Sequence, residues 1–299
     1  LLENQLVARV SQLDFASRKI FVGRLQGERR SKKRGQSVEF ADHRPYVTGD
    51  DLRRIDWNLY GRLDRLFLKL FMEEEDLSVH LVLDASASSD CGDPHKYTFM
   101  QKAAMTLGYM GLVNLNRVAC SIFGGVPAKN AEGEVTVLQS LRDLRGRRRT
   151  QDLAAFLCST LPAGASDFRE AAKRIVLSRR GKGVMIVLSD FLMKEGYEDG
   201  LRLLVGRGYD VIAIQCLAPQ ELEPDIKGDL RLEDIEDADG ADVTISAPLL
   251  KRYKQLLAAY QAQLRDFCAR REITLISVPT SLPMDALVLD YLRKRGVVA

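Results

Sequence analysis

Apolar and polar positions divide the chain into two regimes. From about Val79 onward, short continuous apolar runs alternate with longer stretches of helical spacing. VHLVLD (79–84), VACSIF (118–123), VMIVLSD (184–190), DVIAIQCL (210–217) and ITLISV (273–278) read as strands covered on both faces, because none alternates apolar with polar. Between them, Met100, Ala103, Ala104, Leu107 and Met110 make one stripe over 97–113. Residues 168–178 and 198–206 are shorter amphipathic stretches. Over 248–270, Leu249, Leu250, Tyr253, Leu256, Leu257, Tyr260, Leu264 and Phe267 recur at three- and four-residue steps, with Pro248 suited to a first helical turn. Strand–helix–strand alternation of this length implies right-handed crossovers and a mainly parallel sheet flanked by helices, an α/β fold.

The first 75 residues follow another pattern. VARVSQLDF reads as a short helix, and the basic, glycine-punctuated stretch after it as an exposed loop. YVTGDDLRRIDWNLYGRLDRLFLKLFMEEED then interleaves charges with Trp57, Tyr60, Phe67 and Phe71, too few apolar residues for an independent core. The expected organisation is an N-terminal extension over 1–75 packed on an α/β domain over 76–299. Residues 221–242 carry ten acids against two bases and read as an excursion, a short hairpin pairing RLEDI with DVTIS. No internal repeat is visible.

Composition adds limits rather than a function. At 46% hydrophobic and 28% charged, the 299 residues are ordinary for a globular chain with a sizeable core. A formal net charge of +3 gives no global field toward nucleic acid or membrane, although 24–35 and 142–149 are locally basic. The five cysteines (Cys91, Cys120, Cys158, Cys216, Cys268) are scattered, with no C-x-x-C spacing, which suggests a reducing, cytoplasmic setting. No run approaches the roughly 18 apolar residues of a membrane span. The chain begins LLENQ, so a trimmed leader is compatible with it.

The candidate chemistry lies at strand ends. In VHLVLDASASSD the apolar run stops at Asp84, and Ser86 and Ser88 follow at steps of two. In open parallel sheets ligands gather at the carboxyl ends of strands, where the loops diverge. One carboxylate and two hydroxyls make a poor nucleophile but a reasonable partial shell for a hard cation such as Mg²⁺ or Mn²⁺. Asp190 occupies the same position after VMIVLS, and a downstream hydroxyl comes from Ser166 in PAGASDF or from Thr150 in RRRTQDL. An Asp at a strand end followed by serines is equally an ordinary capping and turn signal.

D-x-S-x-S after an apolar strand, with a later hydroxyl and a later strand-end Asp, resembles the metal-ion-dependent adhesion site of von Willebrand factor A domains. EFADHRPYVTGDDLRRIDWNLYGRLDRLFLKLFMEEED (39–76), directly before it, resembles the bacterial family called domain of unknown function family 58, whose members carry such a domain. The Arg-Pro-Tyr, Gly-Asp and Ile-Asp-Trp elements carry this likeness, which runs from about residue 20 onward. It implies a Rossmann-like A domain with a metal at the top of the sheet, near Asp84, Ser86, Ser88 and Asp190. GASDF matches the family's Gly-Thr-Asp-like segment, which assigns the remaining position to Ser166. Two departures stand out: Ser166 replaces the usual threonine, and Ser89 stands where the family often has methionine.

The resemblance implies binding rather than catalysis, with a partner's carboxylate completing the metal shell. It also implies a role as adaptor or assembly factor beside a MoxR-type AAA+ ATPase and a client complex. The alternatives are a metal-dependent, phosphatase-like hydrolase and a scaffold with a vestigial site. Against the hydrolase, the sequence has no G-x-S-x-G elbow, no G-x-x-x-x-G-K-[ST] loop and no G-x-G-x-x-G after a strand. SRRGKGV precedes a strand instead of following one. Of LRRIDWNLYGR, the structural reading has Trp57 plugging a gap against the sheet while Asp56 pairs with an arginine; the rival reading is a docking surface. Arg29 to Arg34 reads as a solvated loop rather than a phosphate contact, the acidic 221–242 segment as solvated or partner-facing, and His43, His80 and His95 as isolated residues unsuited to zinc.

Overall fold

The computed structural model describes residues 1–2, 4–15, 40–71, 77–129, 133–178, 183–235 and 240–298. Two compact units result: one takes in Leu1–Leu25 with Leu77–Ala299, and the other is Gln26–Asp76. This differs from the expected division of 1–75 and 76–299. Helix α1 (Asn4–Val10) belongs to the α/β unit, where Leu6, Val10, Leu13 and Phe15 are core residues and Phe15 bridges to Val298. Apolar positions at i, i+4 and i+7 turn one side of this segment inward.

In the smaller unit, strand β1 (Phe40–Pro45) pairs antiparallel with β2 (Phe67–Phe71), and helix α2 (Trp57–Leu63) lies between them in sequence. Asp56 caps α2 by accepting from the backbone N–H groups of Asn58 and Leu59. Its other oxygen meets His43 Nε2 at 2.9 Å and Lys69 Nζ at 3.5 Å, so its observed ionic partners are a histidine and a lysine. Hydrogen bonding to His43 holds the Asp56 carboxyl low, at about 2. Trp57 is 63% exposed and makes an edge-to-face contact with Tyr60, so it plugs no gap and that expectation is overturned. The reason is geometric: capping by Asp56 fixes the start of α2, and Trp57 at the first helical position points outward.

The α/β unit is built on strands β3 (Ser78–Asp84), β4 (Arg117–Phe123), β5 (Val126–Pro127), β6 (Gln139–Leu144), β7 (Thr160–Leu161), β8 (Gly183–Ser189), β9 (Asp210–Leu217), β10 (Gly228–Glu233), β11 (Gly240–Ile245) and β12 (Thr274–Pro279). Its helices are α3 (Lys96–Val113), α4 (Thr150–Leu157), α5 (Phe168–Ser178), α6 (Glu198–Gly206), α7 (Pro219–Leu222) and α8 (Ala247–Ala269). The central sheet runs β12–β9–β8–β3–β4–β6, parallel throughout except for β6. Alternate residues of each strand feed two cores. Val79, Leu81 and Leu83 meet α1, α3, α4 and the C-terminal segment, whereas Val82 of β3 and Met185 and Val187 of β8 meet α5, α6 and α8. Cover on both faces explains why β3, β4, β8 and β9 read as unbroken apolar runs, whereas β12, read the same way, is an edge strand with Ser277 exposed.

The hairpin β10–β11 lies in the acidic excursion, with Gly228 opposite Ile245 and Arg231 opposite Asp242. It begins three residues before RLEDI. Residues 236–239 are outside the described ones, as are the basic residues Arg29 to Arg34. Among the described residues no helix is long and apolar enough to cross a membrane.

Candidate functional site

Connectivity makes a crevice between β3 and β8. From β3 the chain crosses by α3 to β4 on one side, and from β8 it crosses by α6 to β9 on the other. The loops leaving these adjacent strand ends therefore diverge, which is the usual seat of ligands in open α/β sheets. Asp84 ends β3 and Asp190 directly follows β8.

Both carboxylates are buried and held in place. Asp84 Oδ1 accepts from the Ser86 N–H at 3.0 Å, and Oδ2 accepts from Ser189 Oγ at 2.7 Å. Ser189 in turn accepts from the Phe191 N–H, so one hydroxyl ties the two strand ends together. Asp190 Oδ1 accepts from the Leu192 N–H at 2.9 Å, and its carbonyl accepts from Gln215 Nε2. Tyr260 of α8 donates to the carbonyl of Phe191, whose φ of 57° is left-handed.

Two hydroxyls meet in one loop, and a second loop runs beside it. Ser86 Oγ and Ser88 Oγ lie 2.9 Å apart. The 163–164 loop runs alongside through Ala163 N–H to the Ala85 carbonyl and Ala87 N–H to the Gly164 carbonyl. Gly124 fits where these loops close up: a Cβ there would stand 3.1 Å from both Ser86 N and Ser166 Cβ. Ser166 is thereby brought to Ser86. Thr150 is not. The antiparallel β6 returns Leu144 to a place opposite Val118, at the start of β4, and Thr150 follows at that far end, donating to the Arg147 carbonyl. Ser89, the departure from the methionine pattern, is buried and donates to the Asp84 carbonyl.

Two further residues belong to the site and were missed in the sequence. Lys96, the first residue of α3, has no exposed surface, and its Nζ sits 2.8 Å from Asp190 Oδ2 and 2.6 Å from Glu221 Oε1. Burial alone would lower the pKa of this ammonium; Asp190 and Glu221 more than reverse that, and it stays charged. Glu221 comes from α7, just beyond β9, and its Oε2 accepts from the Ala218 N–H. The only local signal was a lysine placed where the apolar stripe of α3 begins.

Three carboxylates against one ammonium leave the cluster with two negative charges when all are ionised. Asp84 registers this: burial first, then the charge of Asp190, raises its carboxyl from 3.8 to about 6, against the hydrogen bonds from Ser189 and Ser86. The donors are hard oxygens, the class that suits Mg²⁺ or Mn²⁺ rather than a soft ion. The 2.9 Å between the two serine oxygens also matches the roughly 3.0 Å between adjacent ligands of an octahedral ion bound at about 2.1 Å. The residues therefore fit such an ion, with Lys96 as a rival for Asp190. Among the described residues no three His, Cys, Asp or Glu side chains form a metal-holding group. His43, His80 and His95 pair instead with Asp56, Ser121 and Asp90.

Comparison with known proteins gives relatives without assigned activities. The chain is 26% identical to an uncharacterised protein of Mycobacterium tuberculosis over 307 residues, covering 99% of this chain and 92% of that one. An uncharacterised Mycobacterium avium protein is 28% identical over 160 residues, 52% of this chain and 94% of its own length. Among solved structures the chain is similar to the conserved hypothetical protein BatB from Bacteroides thetaiotaomicron, at 12% identity, 73% and 98% coverage and a TM-score of 0.42. An aerotolerance-related membrane protein from Bacteroides fragilis gives 14% identity, 74% and 98% coverage and a TM-score of 0.43. The family model described as protein of unknown function DUF58 matches residues 42–263, and the chain belongs to that family.

Proposed function

We propose that this chain is a metal-dependent protein-binding module of von Willebrand factor A type, an adaptor or assembly factor working with a MoxR-type AAA+ ATPase. Asp84, Ser86, Ser88, Ser166 and Asp190 hold a divalent ion, Mg²⁺ or Mn²⁺, and a carboxylate from the partner completes its shell. One observation carries the reading: two strand-end carboxylates and the paired Ser86 and Ser88 hydroxyls meet at adjacent strand ends, beside the loop that carries Ser166, and retain uncompensated negative charge. When bound, the ion supplies a positive anchor for the partner's carboxylate. The chain's own residues do the remaining work. Ser189 fixes the spacing of the strand ends, and Gln215 and Tyr260 hold the backbone at Asp190 and Phe191. The ATPase partner rests on the family resemblance alone.

A ligand that binds only the native state raises stability with the logarithm of its excess, by about 2.7 kcal/mol at a hundredfold excess over Kd. Thermal denaturation with increasing Mg²⁺ or Mn²⁺ should stabilise the wild type and leave Asp84→Ala unchanged. Binding to the ATPase or its client should need the same ion and the same aspartate. A partner bound equally well by Asp84→Ala would end the metal-bridge reading. The Lys96–Asp190 pair favours a second reading, a scaffold in which the ammonium already supplies the charge. That reading requires that no divalent ion alters stability. Mg²⁺-dependent phosphoester turnover lost in Asp190→Ala would replace both with the hydrolase.

A further inference from the structure

We infer that Lys96 is a tethered counter-cation that competes with a divalent ion for Asp190, and that Glu221 is the carboxylate that keeps Lys96 when the ion takes its place. The inference rests on the metal-holding reading above and adds how the site is regulated. Lys96 reaches two acceptors at once, Asp190 Oδ2 at 2.8 Å and Glu221 Oε1 at 2.6 Å, from a wholly buried position. Asp190 Oδ1 is already turned toward the Leu192 N–H, so Oδ2 is the oxygen under the ammonium. An ion drawing on Oδ2 must share it with a positive charge or displace that charge. Sharing is unfavourable, since two cations a few ångströms apart in a buried cluster repel strongly.

Glu221 makes displacement feasible. It does not depend on Lys96 for its position: its Oε2 accepts from the Ala218 N–H at 2.7 Å, and its carbonyl accepts from Tyr253 Oη at 2.8 Å. It is a preformed second acceptor, so the ammonium can give up Asp190 without becoming a buried charge lacking a partner, the costly outcome. Lys96 thus keeps the crevice folded without an ion and weakens ion binding. A partner's carboxylate adds negative charge on the side Lys96 does not neutralise, tipping Asp190 toward the ion.

The two residues should therefore act in opposite directions. Binding of Mg²⁺ and Mn²⁺ to the full chain is measured by titration calorimetry and by the ion-dependent rise in Tm. Lys96→Met should bind at least about tenfold tighter than wild type, and Glu221→Gln at least about tenfold weaker. Should Lys96→Met fail to fold, Lys96→Gln retains an amide donor toward Asp190 and removes the charge, and the same tightening is expected of it. Unchanged or weaker binding in both Lys96 variants, beside Asp84-dependent binding in wild type, overturns the inference and leaves the metal site standing. Tighter or unchanged binding in Glu221→Gln overturns it equally. No binding in any variant, the Lys96 ones included, removes both the inference and the reading beneath it.

Discussion

Replacing Asp84 by Asn should change how stability depends on pH, by an amount that follows from the burial of that carboxyl. The ordinary value near 3.8 applies in the unfolded chain, and about 6 applies in the fold. Between the two, the native state holds a proton that the unfolded chain has released, so stability falls as pH rises. Well below pH 4 both states are protonated and the penalty is absent; well above pH 6 both are ionised and it stays constant. At about 1.4 kcal/mol per pKa unit, the gap amounts to about 3 kcal/mol. Asparagine keeps an oxygen for the Ser86 N–H and offers an amide N–H to Ser189 Oγ, so the local hydrogen bonds survive. Urea unfolding of wild type and Asp84→Asn at pH 4, 5, 6 and 7, with a chelator present, isolates the effect. Relative to wild type, the variant should gain about 2.4 kcal/mol between pH 4 and pH 7, since at pH 4 the unfolded carboxyl is already more than half ionised. A difference that stays flat across that range, or that favours the aspartate as pH rises, would refute the picture of an under-compensated buried carboxylate.

Without metal, Lys96→Met should cost about 3–5 kcal/mol, because it leaves Asp190 charged and unpaired in the interior. Adding Asp190→Asn should recover part of that loss, and simple additivity in the double-mutant cycle would show that the pair is uncoupled. Trp57→Ala should change stability by no more than about 0.5 kcal/mol, as an exposed side chain away from any core does. A loss above about 2 kcal/mol in thermal or urea unfolding would restore the buried plug.

Four of the five parallel strands, β3, β4, β8 and β9, were legible because burial on both faces leaves an unbroken apolar signature, and DVIAIQCL is buried at every position; the edge strand β12 was legible from its apolar run although Ser277 is exposed. Strand β6 was not. QSLRDL is an edge strand with polar residues among its apolar ones, and nothing local separates it from a loop. Helix α4 was hidden for a similar reason, since its eight residues follow three exposed arginines and bury only Leu153 and Leu157. Of the site, the D-x-S-x-S run and the second strand-end aspartate could be read because each is a local pattern. Ser166 against Thr150 could not be decided locally; the antiparallel return of β6 separates them in space. Lys96 and Glu221 lay beyond reach because their contact joins positions 125 apart in the chain. Trp57 misled because aromatic character suggests burial, whereas its place on α2 decides exposure.

The hydrogen bond from Ser189 to Asp84 spans 105 residues, and the one from Lys96 to Glu221 spans 125. Between β3 and β8 the chain must first complete β4, the reversed β6 and the helices beside them. Closing so long a loop is an entropic cost met before any of these contacts forms. A nascent chain that has emerged only through β4 therefore holds Asp84, Ser86 and Ser88 without the Ser189 hydroxyl that Asp84 Oδ2 meets in the fold. The cluster thus needs β3 and β8 side by side, and its chemistry reports on completion of the sheet. A probe that responds to the assembled cluster would follow the docking of β8 and β9 onto β3 rather than the formation of any one helix.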